Sequence, residues 1–474
     1  MLATLLDRLN TLALGYFVLL NGLYFLTTLV ALVALRRYTG RLRALDTGDV
    51  LHLGGAPPVT LLAPAYNEEA TCVQSVRSLL ALEYADHEVL VINDGSRDGT
   101  LATLIAAYDL VPATRGPTAD IPSRPVRQLY RSRSHPALWV LDKENGGKAD
   151  ALNAGLAHVR TPLFCAIDAD SLLERDALSR IVRLFLEDDR TVAAGGIIRI
   201  INGCTVRAGM VTGVGLPDNL LARIQVVEYL RSFLSGRVGW DALDGTLIIS
   251  GAFGMFKRSA VVAAGGYDPT TVGEDMELVV RLHRHCREQG IPYRIAFAPD
   301  PVAWTECPES LRILGRQRVR WQRGLAEVLW RHRRMLGHPR YGIIGMVAMP
   351  YYFFLEMLGP VIEAVGFLAF ALTVALGRAS GAYVVAFLLL AFALGTALSV
   401  AAIGLEELTF RRYPRTSDLG KLMLTSVVEA VGYHQLSTWW RLRGLWAALR
   451  QRGGWGEMTR KGFATAPTAD GGPG

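Results

Sequence analysis

Across residues 12–35 the chain carries no charged side chain. Crossing the hydrocarbon layer of a bilayer takes ~20 apolar residues, and a lone segment in lipid satisfies its backbone only as a helix. The stretch therefore predicts a transmembrane helix, and the rest of the chain must be arranged beside a membrane. A cleaved leader would have a shorter apolar core and a small-residue cleavage site behind it. Here Arg36, Arg37, Arg41 and Arg43 follow, with only Arg8 before. By the positive-inside bias, what comes next is cytosolic.

Composition agrees with a divided chain. Hydrophobic residues make up 51% and charged ones 20%, too apolar for a purely soluble enzyme and too charged for a purely embedded one. The net charge of +7 gathers in runs beside apolar segments, such as Arg36-Arg37, Arg331-His332-Arg333-Arg334 and Arg411-Arg412. Basic runs in such places report orientation and contact with membrane lipids rather than nucleic acid. The 5 cysteines, at 72, 165, 204, 286 and 307, show no paired short spacing. Neither a zinc site nor a disulfide framework is signalled, which fits a reduced, cytosolic setting.

Residues 163–170 are the chemical centre. Five apolar residues end in Asp168-Ala169-Asp170, the pattern of a buried strand surfacing with carboxylates at its C-terminal end, where an open parallel sheet places its ligands. Two aspartates one residue apart suit a hard divalent cation that keeps several waters and bridges to a diphosphate. A simple strand-end turn is the other reading, since aspartate favours turns. Upstream, strands over 59–63 and 88–92 flank a helix over 68–82 with Ala70, Val73, Val76 and Leu80 at helical spacing. Alternating strands and helices predict an α/β fold with a mostly parallel sheet.

Further on, residues 116–134 read partly as loop, 192–201 as a strand and 220–233 as an amphipathic helix with Glu228 and Arg231 outward. Ser250-Gly251-Ala252-Phe253-Gly254 reads as a glycine-rich turn, and Gly273-Glu274-Asp275 as the start of a helix to about Gln289. Its carboxylates lie at the positively polarised end. Residues 311–330 form a basic amphipathic helix suited to a membrane surface. Residues 341–376 predict an interfacial piece followed by a span, and 383–405 a cleaner span. Residues 422–440 stay open: they are apolar enough to insert, yet Arg441 and Arg443 would then emerge on the wrong side. The polar end from Gly453 predicts a flexible tail.

Six short motifs follow one another: Pro64-Ala65-Tyr66-Asn67-Glu68-Glu69, Asn93-Asp94-Gly95-Ser96, Gly147-Lys148-Ala149-Asp150-Ala151-Leu152-Asn153, Asp168-Ala169-Asp170, Gly273-Glu274-Asp275 and Gln317-Arg318-Val319-Arg320-Trp321. Each alone also describes a turn or a helix start; six in this order are specific. Together they resemble the family 2 inverting glycosyltransferases of the membrane-embedded processive type, which include cellulose, chitin, hyaluronan and poly-N-acetylglucosamine synthases. The resemblance covers roughly residues 57–323 plus flanking membrane segments.

What it implies is definite. The fold would be a cytosolic GT-A domain, Rossmann-like with a mostly parallel sheet, over 57–305, flanked by transmembrane and interfacial helices. A transmembrane helix (1–37) and a linker (38–56) would precede it. An interfacial helix (306–340), transmembrane and interfacial helices (341–440) and a basic then flexible tail (441–474) would follow. The protein would be a multi-pass component of a bacterial-type inner membrane. A UDP-sugar donor would be held by Tyr66, Glu68, Asp94, Lys148, Asp168, Gln317 and Arg320, with Mg²⁺ or Mn²⁺ on Asp168 and Asp170. Asp275 would be the catalytic base. Trp321, Gly251, Phe253 and Glu274 would meet a polysaccharide or lipid-linked acceptor. The family's usual Thr before Glu-Asp is replaced here by Gly273.

The loop at 250–254 is most similar to that of poly-N-acetylglucosamine synthases, which points the sugar toward N-acetylglucosamine. Export of the product with accessory subunits would go with the processive members. A non-processive enzyme building a glycolipid, and an idle membrane receptor or export scaffold, are the alternatives. His283-Arg284-His285-Cys286 reads as structural rather than metal-binding, because within a helix only His283 and Cys286 share a face. Arg411-Arg412-Tyr413-Pro414-Arg415 mimics half of a cyclic-di-GMP signature without room after it for the receptor domain.

Overall fold

The computed structural model describes residues 2–44, 55–168, 171–207, 209–413 and 415–450. In order, its elements are α1 (Leu2–Ala44), β1 (Val59–Ala65), α2 (Cys72–Leu80), β2 (His87–Asp94), α3 (Thr100–Tyr108), β3 (Leu110–Ala113), β4 (Val126–Ser132), β5 (Leu138–Lys143), α4 (Lys148–His158), β6 (Leu163–Ile167), β7 (Leu172–Leu173), α5 (Ala177–Glu187), β8 (Thr191–Ile200), β9 (Thr205–Arg207) and β10 (Met210–Gly213). Then come α6 (Leu220–Tyr229), a π-helical stretch (Leu230–Arg237), α7 (Val238–Ala242), β11 (Phe253–Lys257), α8 (Arg258–Ala263), α9 (Glu274–Gln289), β12 (Arg294–Thr305) and α10 (Leu311–Arg331). The C-terminal part holds α11 (Gly359–Ala375), α12 (Gly381–Leu388), α13 (Leu394–Thr409), α14 (Thr416–Val428) and α15 (His434–Arg450).

The strands β1 and β6 and the middle of β2, Val89 to Ile92, are apolar almost throughout and buried on both faces, as parallel strands covered by helices must be. They pair in register, Val59 with His87 on one side and with Leu163 on the other. The ten-stranded sheet runs β3-β4-β5-β2-β1-β6-β11-β8-β12-β7. It is mixed but mostly parallel: β4, β11 and β7 run against the other strands. The ends of β1, β2, β5 and β6 therefore open on one edge of the sheet. β11 enters that edge from the opposite direction, Phe253 pairing with Ile167. This brings the turn at Gly251 beside Asp168.

Among the described residues, two helical segments are long and apolar enough to cross a membrane, Leu2–Gly40 and Gly381–Thr409. A third crossing is formed if Ile344–Met357 and Gly359–Ala375, bent by 43° at their junction, are one span. Close packing in this bundle uses small residues. A Cβ on Gly359 would meet the Tyr16 hydroxyl at 2.5 Å, and one on Gly366 the Ala13 Cβ at 2.8 Å. Lower down, Ala31 and Leu35 of α1 belong to the same apolar core as β1, β2 and β6. Tyr38 bonds Asp300 and Arg183 of the sheet domain.

Several expectations need correction. The first part of the 38–56 linker is helical, because α1 runs on to Ala44. The helix expected from 68 starts at Cys72: Thr71 and Cys72 donate back to the Glu68 carbonyl in a tight turn. Residues 126–132, in the stretch that reads only partly as loop, form β4, an outer strand whose exposed face accounts for its polar composition. The supposed turn at 250–254 already contains the start of β11. Glu228 and Arg231 do not point to solvent; they pair with Arg318 and Glu429, because α6 and the π turn are clasped between α10 and the C-terminal helices. The 422–440 segment is interrupted at Val431 and Gly432, both non-helical. The expected flexible tail beyond residue 450 lies outside the described residues.

Candidate active site

The strand end at Asp168 is where the separate motifs meet. Lys148, the first residue of α4, lies with its Nζ 2.5 Å from Asp168 Oδ1 and 3.4 Å from Glu274 Oε1. It also donates to the Gly251 carbonyl at 3.4 Å. Asp275 accepts from the Gly251 N–H at 3.0 Å through Oδ2 and from the Met276 N–H at 2.8 Å through Oδ1. Motifs more than a hundred residues apart in the chain thus share one ammonium and one loop.

Burial acts to lower the Lys148 pKa, but Asp168, Glu274 and Asp275 outweigh it and raise it, so the side chain stays charged. Burial pushes the Glu274 pKa up, against the pull of Lys148. Asp168 stays partly open to solvent, at 32% side-chain exposure. Asp170 lies outside the described residues. Among the described residues, no group of three or more His, Cys, Asp or Glu is placed to hold a metal ion. A half-open carboxylate at a strand end, wanting positive charge enough to hold an ammonium at 2.5 Å, nevertheless fits a hard cation that draws its other oxygens from water and a diphosphate.

Glu68 and Asp168 lie at the rim of a small, mostly apolar cavity of about 20 Å³ between the ends of β1 and β6, lined also by Ala65, Val76, Leu79 and Ile167. Glu68 accepts from the Thr71 hydroxyl at 2.7 Å. Tyr66, 44% exposed, directly follows β1. Asn67 is left-handed, with φ of 56°, and is held there by Ser96 and the Arg97 N–H.

Two expected site residues are buried. Asp94 is buried, and both of its oxygens are taken from within: Lys143 and the Gly146 N–H on Oδ1, Asn145 and the Gly147 N–H on Oδ2. A carboxylate has about four acceptor positions, and on Asp94 these are met by groups at and just before the loop leading to Lys148. Phe253 is 0% exposed and sits in the sheet core, because the strand begins there and turns its ring inward. Sequence reasoning also missed Lys143, fully buried between Asp94 at 2.7 Å and Asp150 at 2.6 Å. Two carboxylates at the ends of neighbouring motifs were the available signal.

Gln317, Arg320 and Trp321 lie on α10. Positions 317, 320, 321 and 324 of a helix share a face, and Gly324 of that face touches Gly273: a Cβ on Gly273 would sit 3.1 Å from the Gly324 Cα. This contact explains the departure from the family's Thr. It packs the start of α9, with Glu274 and Asp275, directly onto the helix carrying Trp321. Glu327 of the same helix accepts from Thr271 and from the Val272 N–H. Trp321 is 42% exposed, with the Arg318 guanidinium 4.6 Å from its ring centre.

The remaining motifs have structural work. His283 engages the Thr246 carbonyl and the Tyr293 hydroxyl, each at 2.8 Å, and burial lowers its pKa to about 4. Arg412 approaches Glu174 at 3.6 Å and Tyr413 is buried.

Residues 57–324 match the model of the glycosyltransferase-like family 2. The chain belongs to that family. Among curated relatives, the poly-β-1,6-N-acetyl-D-glucosamine synthase of Staphylococcus aureus strain COL is 32% identical over 275 residues, 58% of this chain and 56% of the relative. The synthase of the same name from Staphylococcus epidermidis is 29% identical over 274 residues, with the same coverage. The chain thus matches about half the length of these curated relatives. Among solved structures, a mannosyltransferase from Pyrobaculum calidifontis, in complex with GDP-Man and Mn²⁺, superposes with a TM-score of 0.53 at 20% identity, covering 89% of this chain and 99% of that one. That likeness is one of fold, the GT-A fold of the family 2 glycosyltransferases.

Proposed function

We propose that this family 2 member is an inverting membrane glycosyltransferase that moves a sugar, N-acetylglucosamine, from a UDP-sugar onto a growing polysaccharide on the cytosolic side of a bacterial-type inner membrane. The observation that carries the reading is the convergence of Asp168, Lys148, Glu274 and Asp275 around Gly251, with the Trp321 helix packed against it. A receptor or scaffold has no chemical use for this set. The choice of sugar rests on the names of the relatives.

In this reading Tyr66 and Glu68 border the nucleoside, and Asp94 holds the loop that presents Lys148. Lys148 offsets diphosphate charge. Asp168, with Asp170, would hold Mg²⁺ or Mn²⁺, whose charge helps UDP to depart. Asp275 takes the proton of the acceptor hydroxyl as its oxygen attacks the anomeric carbon, inverting it. The Gly251 and Met276 N–H groups fix both oxygens of that carboxylate and aim it. Trp321 offers a flat face to the acceptor sugar, with Gln317 and Arg320 on the same side of the helix. Arginines at 36, 37, 411, 412 and 415 then lie on the cytosolic side and residues 377–381 outside.

The test is to incubate membranes containing the full chain separately with radiolabelled UDP-N-acetylglucosamine, UDP-glucose and other nucleotide sugars, and to size the products. Long polymer from UDP-N-acetylglucosamine is expected. A single-sugar lipid product would replace the polysaccharide by a glycolipid, and no incorporation from any donor would refute the transferase reading.

A further inference from the structure

The helix that carries Trp321 has a second face. Positions 315, 319 and 322 lie opposite 317, 320, 321 and 324 on the helical wheel, and α15 runs along them. A Cβ on Gly315 would meet Trp440 Nε1 at 2.7 Å, and one on Gly444 would meet both the Gln322 Cβ and the Val319 carbonyl at 2.7 Å. Between these two close approaches sits a polar clamp. The Gln322 amide, 4% exposed, donates to the carbonyls of Glu356 at 3.3 Å and Met357 at 3.0 Å. Its oxygen accepts from Arg441 Nε at 3.0 Å, while Arg441 Nη2 reaches the Glu356 carbonyl at 2.5 Å and its carboxylate at 3.3 Å. The other Glu356 oxygen accepts from Tyr24 at 2.7 Å and Tyr351 at 3.0 Å.

These carbonyls belong to the break where the 344–357 helix bends by 43° into α11. Backbone acceptors left over at a helix end need outside donors. Here they are supplied by the residue next to Trp321 and by one arginine of α15. Helix α1, the bend, α10 and α15 are thereby joined at one point.

We propose that Arg441 is a positioning residue for the acceptor: by clamping Gln322 to the bend at Glu356, it fixes the height of Trp321 against the membrane bundle. This rests on the transferase reading, in which Trp321 meets the acceptor. Arg441 itself touches neither donor nor reacting atoms. The clamp predicts that loosening it weakens acceptor use far more than nucleotide binding: on the donor side only Gln317 and Arg320 ride on α10, whereas Lys148, Asp168 and Asp275 are held by other contacts.

The experiment compares the detergent-purified full chain with Arg441→Ala, Arg441→Lys and Gly444→Ala. UDP affinity is read by calorimetry, UDP release in the absence of acceptor by a coupled assay, and transfer to an acceptor oligosaccharide by product sizing. In Arg441→Ala, kcat/KM for the acceptor should fall on the order of tenfold or more, as for a misplaced binding group, mainly through KM, with a much smaller change in UDP affinity and acceptor-free UDP release. Lysine lacks the planar fork that serves two acceptors, so Arg441→Lys should fall between. Gly444→Ala removes no polar group yet pushes α15 off α10, and should reproduce the Arg441→Ala pattern; it also serves if that variant does not accumulate. An unchanged acceptor KM in Arg441→Ala or Gly444→Ala, or equal loss of UDP release and transfer, overturns the proposal. A parent chain that binds and cleaves no UDP-sugar removes the transferase reading and the proposal with it.

Discussion

Replacing Lys148 by alanine isolates the charge on which the site closes. The ammonium is 14% exposed and contacts Asp168 at 2.5 Å and Glu274 at 3.4 Å. Removing one partner of a buried ion pair costs about 3–5 kcal/mol. Water reaches the 32% exposed Asp168, so the low end, about 3 kcal/mol, applies. At roughly 2–4 °C per kcal/mol for a domain of this size, the glycosyltransferase domain should melt about 6–12 °C lower.

The loss should depend on pH. Glu274 already has a raised pKa from burial, and without Lys148 it rises further. A group whose folded pKa exceeds its unfolded value, about 4.3 for glutamate, favours the fold below that value and loses the advantage as pH rises through the folded pKa. The deficit should therefore be larger at pH 8 than at pH 5. A divalent cation should take over the vacated role at Asp168. Scanning fluorimetry of parent and variant, with and without millimolar Mn²⁺, reads both effects, and the variant should gain more from Mn²⁺ than the parent. A melting temperature within 2 °C of the parent at pH 8, or a smaller Mn²⁺ shift in the variant, would refute the reasoning.

Asp275→Asn should cut transfer by about 10²–10⁴-fold while UDP affinity, read by calorimetry, is kept; continued transfer would remove the base assignment. Trp321→Ala should impair elongation of an acceptor oligosaccharide more than acceptor-free UDP release, and an equal effect on both would make the indole a membrane anchor. Gly273→Thr restores the family's residue but places a Cβ 3.1 Å from the Gly324 Cα. An overpacked contact of this kind costs about 1–3 kcal/mol, which a lowered melting temperature would register; pairing with a larger residue at 324 should make it worse.

The parts of the fold legible in the sequence were those where burial leaves a continuous mark. Leu163-Phe164-Cys165-Ala166-Ile167 is buried at every position, and no surface strand reads that way. β4 was legible only in part because Arg127, Gln128 and Arg131 occupy an outer strand whose partner β3 is short. β11 escaped because glycines at its entry look like a turn, and only the sheet order reveals that Phe253 pairs with Ile167. The same ambiguity misassigned Phe253. At Asp94 the local sequence marks a turn, but cannot tell that its carboxylate meets the backbone leading into the next motif, at Gly146 and Gly147. The convergence of Lys148 with Glu274 is a property of tertiary structure, since no spacing relates residues 148 and 274.

The first helix does more than tether. Ala31 and Leu35 complete the apolar layer over β1 and β6, and Gly239 fits so tightly against Thr27 that a Cβ there would lie 2.6 Å from its carbonyl. Trimming residues 1–40 to obtain a water-soluble fragment would lay open a greasy seam along the catalytic half. Such a fragment should precipitate or require detergent, however complete its donor-binding motifs.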